Sequence, residues 1–276
     1  MLPKSPLYTN AGAKSIEAEV DELVKHRYRF PQDGIFTQWD GTKGTCQELM
    51  DRMLDTVKRA ADEPAGKDWV KLGSTQDITR EYHVGRTAQG NGNRFFRYRG
   101  VLKTQPDLLC CALLDPTAVG AIDHTLRHCR VLHDFPDGRN RLVMVVAEAG
   151  PRPLFYDRDD CDLTCYYPPT EQDKCWYQVS VTVPGHLPSV STAVRNHTMV
   201  WGYRFEPFVD PQSGETFTNA TLISQTEIFG WVPKFSVNAM VSPILCEYLR
   251  KLEKFTRSLS PSQAQALLKD YGLSRL

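Results

Sequence analysis

The apolar residues change their period twice along the chain. Cys46, Leu49, Met50, Met53, Leu54, Val57 and Ala61 recur three or four apart, the spacing of one helix face. Thr45 and Glu48 stand before them as a T-x-x-E capping box, and Pro64 and Gly66 follow as a stop. From Trp69 the period becomes two. Strands are expected over 68–72, 79–85, 93–103, 126–134, 141–148, 160–167, 174–183, 194–208 and 220–231. Turn residues such as Pro136-Asp-Gly138 and Pro211-Gln-Ser-Gly214 separate several of them. A helical patch over 106–122 interrupts the series. A long helix over 233–259 then carries a stripe of Val237, Val241, Ile244, Tyr248, Leu252 and Phe255, with Pro243 inside it as an expected kink. A short helix follows, with Ser260 as N-cap and Pro261 at its first position.

Ahead of this series, 15–27 reads as a short helix with Ile16, Val20, Leu23 and Val24 on one face, and 31–44 is broken by proline and glycine. The chain therefore reads as an extension over 1–44, a main domain over 45–258 and a short helical tail over 259–276. Helix, meander of strands, long final helix is an α+β order, and an antiparallel sheet with this many strands must curl or close.

Composition narrows the function. Lys plus Arg and Asp plus Glu both number 33, so the basic surplus of a nucleic-acid binder is absent. No apolar run is long enough to span a bilayer, and the polar start lacks a secretory leader, so the cytosol is the expected compartment. The 8 cysteines form no CxxC pair and read as reduced, mostly buried thiols. The sequons at Asn196 and Asn219 are then chance. No GxSxG, HExxH, P-loop or GxGxxG motif is present. His124, His128 and His133 invite a metal reading, but ligands at 124 and 128 would need a helix, whereas 126–134 reads as strand. Asp157, Asp159, Asp160 and Asp162 lack the glycine and glutamate of a calcium loop. Neither a metal nor a cofactor is expected, and neither is an enzyme.

Several short motifs stand in a telling order. Gly230-Trp-Val-Pro-Lys-Phe-Ser-Val-Asn238, with Glu227 before it, resembles the junction of last strand and lid helix in the StAR-related lipid transfer (START) domains. Trp69, Arg158-Asp159, Val183-Pro-Gly-His186 with Pro188, Val194-Arg195 and Gly202 resemble further marks of that family. The resemblance covers about 45–258. It implies a helix-grip fold, a curved antiparallel sheet wrapped around a long C-terminal helix over a hydrophobic cavity. It also implies a soluble binder of one sterol, phospholipid or sphingolipid, carrying it between membranes through transient contact with their surfaces. The alternative is a lipid-sensing module acting through a protein partner, for which 1–44 would be a surface; an enzyme on the same fold ranks below both.

Under this resemblance Val237, Val241, Ile244 and Tyr248 are the inward face of the lid. Met199, Trp201, Tyr203 and Phe205 are the better wall of their strand, since Val200, Gly202, Arg204 and Glu206 alternate with them. Arg158 and Arg195 are candidate polar anchors, Arg195 with an acid such as Glu148 as partner. Thr164 stands where sterol and phosphatidylcholine carriers of the family hold an inward arginine. Phase is contested there. The resemblance turns Asp160, Asp162 and Thr164 inward, whereas polarity turns Cys161, Leu163 and Cys165 inward, unless a bulge intervenes.

Overall fold

The structure, a computed structural model, describes residues 16–66, 68–86, 94–123, 125–148, 156–227 and 234–270. The period-two segments form one sheet with the strand order β3-β4-β5-β12-β11-β9-β8-β7-β6. Its strands are β3 (Trp69–Thr75), β4 (Ile78–His83), β5 (Phe95–Leu102), β6 (Leu126–Asp134), β7 (Asn140–Ala147), β8 (Asp157–Tyr167), β9 (Trp176–Thr182), β11 (His197–Val209) and β12 (Thr216–Glu227). Neighbours on this path are antiparallel. β10 (Ala193–Arg195) lies off the path, parallel to the start of β8. The segment expected as one strand over 194–208 thus breaks at Asn196.

Before the sheet come α1 (Ile16–Arg27), a hairpin of β1 (Ile35–Thr37) and β2 (Lys43–Thr45), and α2 (Cys46–Asp62). Within it lie α3 (Pro106–Leu114) and α4 (Pro116–Ile122), and after it α5 (Lys234–Ser258) and α6 (Pro261–Asp270). The capping box closes at both atoms: Glu48 N donates to Thr45 Oγ1 and Thr45 N to Glu48 Oε2. Ser260 and Gln263 pair in the same way ahead of α6.

The two faces of the sheet meet different partners. On one, Leu49, Met50, Met53 and Val57 of α2 pack against Leu142, Met144, Leu163, Val179 and Ile223. Val20 of α1 and Phe36 of β1 are fully buried in the same cluster. Part of the segment read as an extension is therefore built into the body of the protein. On the other face, α3, α4 and α5 pack against Phe96, Tyr98, Tyr203, Phe205 and Leu222.

Two details fix α2 on its face. Gly202 of β11 lies so close that a Cβ there would overlap Val57 Cγ2. Arg97 of β5, fully buried, donates to the carbonyls of Ala60 (2.8 Å) and Glu63 (2.6 Å) at the C-terminal end of α2. A cation there answers the negative pole of the helix. Its Nε donates to Glu81, and its plane lies over Trp69 at 4.0 Å. Burial would raise the Glu81 carboxyl, but Arg97 and Arg99 outweigh it and hold it below the usual range.

Gly202→Val is expected to destabilise the chain by about 1–3 kcal/mol through overpacking. Val57→Ala in the same chain should return part of that loss. Urea unfolding of the single and double variants reads both; equal stability of Gly202→Val and wild type would refute the close approach.

Candidate functional site

Along β7 the pleat sends successive side chains to opposite faces. Leu142, Met144 and Val146 face α2 and are fully buried. Val143, Val145 and Ala147 face the α5 side and are only half-buried. Their partners on β6, Val131, Cys129 and Leu126, are half-buried as well. So are Trp201 of β11 and Tyr248 of α5. α5 makes close backbone approaches to β4, β5, α3 and α4. The half of the α5 face built by β6, β7 and β8 therefore keeps accessible apolar surface, while the half under α5 and α3 is packed.

The contested phase of β8 resolves in one register. β8 pairs with β7 and β9 without a shift, and Asp160, Asp162 and Thr164 stand opposite Val145, Val143 and Arg141 on the α5 face. Cys161, Leu163 and Cys165 join the cluster against α2 instead. Polarity misled because a second apolar layer claims them, and the acids find polar neighbours on β9. Thr182 Oγ1 donates to Asp162 Oδ1 at 2.6 Å. Gln178 Nε2 donates to Thr164 Oγ1 (2.6 Å) and Ser180 Oγ (3.1 Å). Burial pushes Asp162 from 3.8 up to about 6, against the pull of Thr182 and Arg195. Asp160 rises well above its ordinary value, first by burial and then by the charges of Asp162 and Asp159. The wall thus has an apolar part and a strip of hydroxyl, amide and acid groups.

On β11, Trp201, Tyr203 and Phe205 stand opposite Ser180, Gln178 and Trp176, so they face α5. Tyr203 and Phe205 are packed solid, and only Trp201 keeps accessible surface. Met199 is buried at the bulge between Thr198 and Val200. On α5, Tyr248 packs against this cluster. Ile244 does not face inward: it is 51% exposed, and Leu245, Cys246, Leu249 and Leu252 are buried in its stead. The buried arc is turned because two polar residues belong to it. Glu253 accepts from Lys103 N at 2.6 Å, and Thr256 Oγ1 donates to Leu252 O at 3.0 Å. An apolar stripe could not reveal polar residues satisfied in this way. The side chains of Val237 and Val241 and the junction over 228–233 lie outside the described residues.

The two candidate anchors differ. Arg195 is spent on structure: Nε and Nη2 hold the Asp159 carboxylate at 3.0 and 3.2 Å, and Nη2 also donates to Leu187 O. Asp159 lies on the face turned away from α5, so Arg195 is no anchor there. Its partner is Asp159, because parallel β10 sets it opposite that residue, while Glu148 pairs with Arg127. Arg158 has the phase of Asp160 and is buried, and Nη1 donates to Tyr156 O and Asp157 O. Among the described residues no three His, Cys, Asp or Glu gather to hold a metal ion, and His124 lies outside them. Burial pushes the Cys161 thiol up to about 12, away from the thiolate a nucleophile needs.

Neither family models nor curated proteins match the chain in sequence. Solved structures match it in fold. Human StAR-related lipid transfer protein 5 superposes with a TM-score of 0.66 at 13% identity, over 77% of this chain and 96% of its own. Human STARD10 gives 0.64 at 16%, over 78% and 84%. The lipid transfer and protein localization domain of human StarD13 gives 0.58 at 18%, over 75% and 98%. The fold is that of the START domains, the helix-grip fold.

The buried acids make stability depend on pH. Asp162 titrates at 3.8 when unfolded and near 6 when folded, so the folded chain holds more protons between those values. Stability contributed by its protonation is present in acid and lost as pH rises through that window. Asp162→Asn, which keeps an acceptor for Thr182, should therefore be more stable than wild type at neutral pH, by about 1–3 kcal/mol. The gain should vanish near pH 4. Urea unfolding across the range checks this, and a variant no more stable at neutral pH would contradict it.

Proposed function

We propose that this chain binds one lipid in the space between α5 and the β6–β8 half of the sheet, and carries it between membranes. The observation that carries the reading is the split in β7. Leu142, Met144 and Val146, facing the α2 layer, are sealed, and Val143 and Val145 between them, facing α5, are not. Accessible apolar surface of this kind is kept for an apolar occupant. The START fold of the chain supports the same reading, since the similar human proteins are named for lipid transfer.

Energetics explain why such a site suffices without bond chemistry. A sixteen-carbon chain costs on the order of 12 kcal/mol to bring into water, at about 0.8 kcal/mol per methylene. An apolar slot beside Val143, Val145 and Trp201 replaces the membrane contacts that are lost. The free energies of the two bound states then nearly balance, and exchange between them becomes feasible. The polar strip on β8 and β9 would face the lipid's polar end, because burying that end without partners is costly.

One observation favours a second reading. Asp160 and Asp162 form a pair of acids with raised pKa values on an accessible face, as a general acid requires. Mass spectrometry of lipids before and after incubation separates the two. A carrier returns its lipid unchanged, and a catalyst returns a product.

Val145→Trp is expected to fill the slot. The variant should fold, and its transfer of fluorescent lipid between vesicles should fall about tenfold or more. Transfer at the wild-type rate by the folded variant would place the lipid elsewhere. Binding without transfer by the wild-type chain would assign it a sensing role instead.

A further inference from the structure

The hydrogen bonds of the α5 face leave an imbalance. Gln178 is 6% exposed, and both of its described side-chain bonds leave from Nε2; its Oε1 is buried with no partner among the described residues. The amide orientation is set by its neighbour, since Thr164 Oγ1 donates to Val179 O and so receives Gln178 Nε2. Asp160 Oδ1 is likewise buried without a partner, and so is Asn196 Oδ1 at the break between β10 and β11. The Gln178 and Asn196 atoms are amide oxygens, which only accept. The cation of the same phase, Arg158, donates to the backbone of Tyr156 and Asp157. Native structures seldom leave buried acceptors unmet, and a group supplied by a ligand is a standard resolution.

We infer that the polar end of the bound lipid is a set of hydrogen-bond donors, hydroxyl, amide N–H or amine, and carries no phosphate. This rests on the lipid-binding reading above and narrows it. A phosphate brings only acceptors and negative charge. Set beside Gln178 Oε1 and the Asp162 carboxylate, ionised at neutral pH, it would leave the amide oxygen unmet and add repulsion. A hydroxylated or amino lipid supplies the missing donors. Sites built to bond a donor reject analogues without it strongly, because their own buried groups stay unpaired.

The test offers the whole chain to phosphatidylcholine vesicles doped in turn with ceramide, sphingosine or phosphatidic acid. The protein is recovered, and its bound lipid is weighed by native mass spectrometry. Ceramide and sphingosine should load at least about tenfold more than phosphatidic acid. Gln178→Met, which keeps the side-chain length and removes the acceptor, should cut ceramide loading by about tenfold. Asp162→Asn provides a second reading in case that variant does not fold: at neutral pH, above its value of about 6, it removes a carboxylate charge and should weaken sphingosine more than ceramide, because only the amine carries a charge. Phosphatidic acid or phosphatidylcholine loading as well as ceramide would overturn the inference and leave the lipid-binding reading standing. No lipid loading at all would overturn both.

Discussion

A pleated strand cannot show one face to two partners, and the site depends on that constraint. Each residue of β7 and β8 that seals against α2 commits its neighbours to the α5 side. The α2 layer is tightly specified: by the glycine under Val57, by Arg97 on the end of the helix, and by Leu142, Met144 and Leu163 packed among its residues. With that layer fixed, the register of β6–β9 has no freedom to slip, because a one-residue shift would bury Asp160 and Asp162 against Met50 and Met53. The rigid face thus holds the open face in place.

The open face carries an energetic tension. Two carboxyls held above their ordinary pKa, and three oxygens without partners among the described residues, are unfavourable features in a folded chain. A core built for stability alone would place apolar groups there, as it does a few residues away with Tyr203 and Phe205. Packing and polarity divide the α5 face accordingly. Under α3 and α5 it is solid protein. Beside β6, β7 and β8 it is apolar wall with a polar strip, matched to a molecule with both characters.

Much of the architecture was legible because its signals are local. The T-x-x-E box, the period-two runs and the long final helix each follow from nearby residues, and each occupies its expected place. The β3–β4 turn was less legible: Gln76 and Asp77 take left-handed φ values of 49° and 61° without the glycine that usually marks them. The β1–β2 hairpin was hidden by its shortness and its glycines. Side-chain direction was the least legible feature, for a physical reason. Cys161, Leu163 and Cys165 look like the natural inner wall until a second apolar layer is known to lie behind them. Ile244 looks like lid lining until Glu253 and Thr256 are seen to be satisfied within the buried arc. Arg195 looks like an anchor until parallel β10 sets it against Asp159. Each error arises where a polar group is satisfied by another element or by its own helix turn, which apolar spacing along the chain does not disclose.

The central claim is that an acyl chain lies against the open half of the α5 face, within reach of Trp201. Loading the protein from vesicles whose lipids carry bromine on their chains tests it directly, because bromine quenches indole fluorescence on contact. The account predicts strong quenching on loading, and loss of most of that quenching in Trp201→Phe. Bound brominated lipid with no quenching, or quenching unchanged by Trp201→Phe, would contradict it.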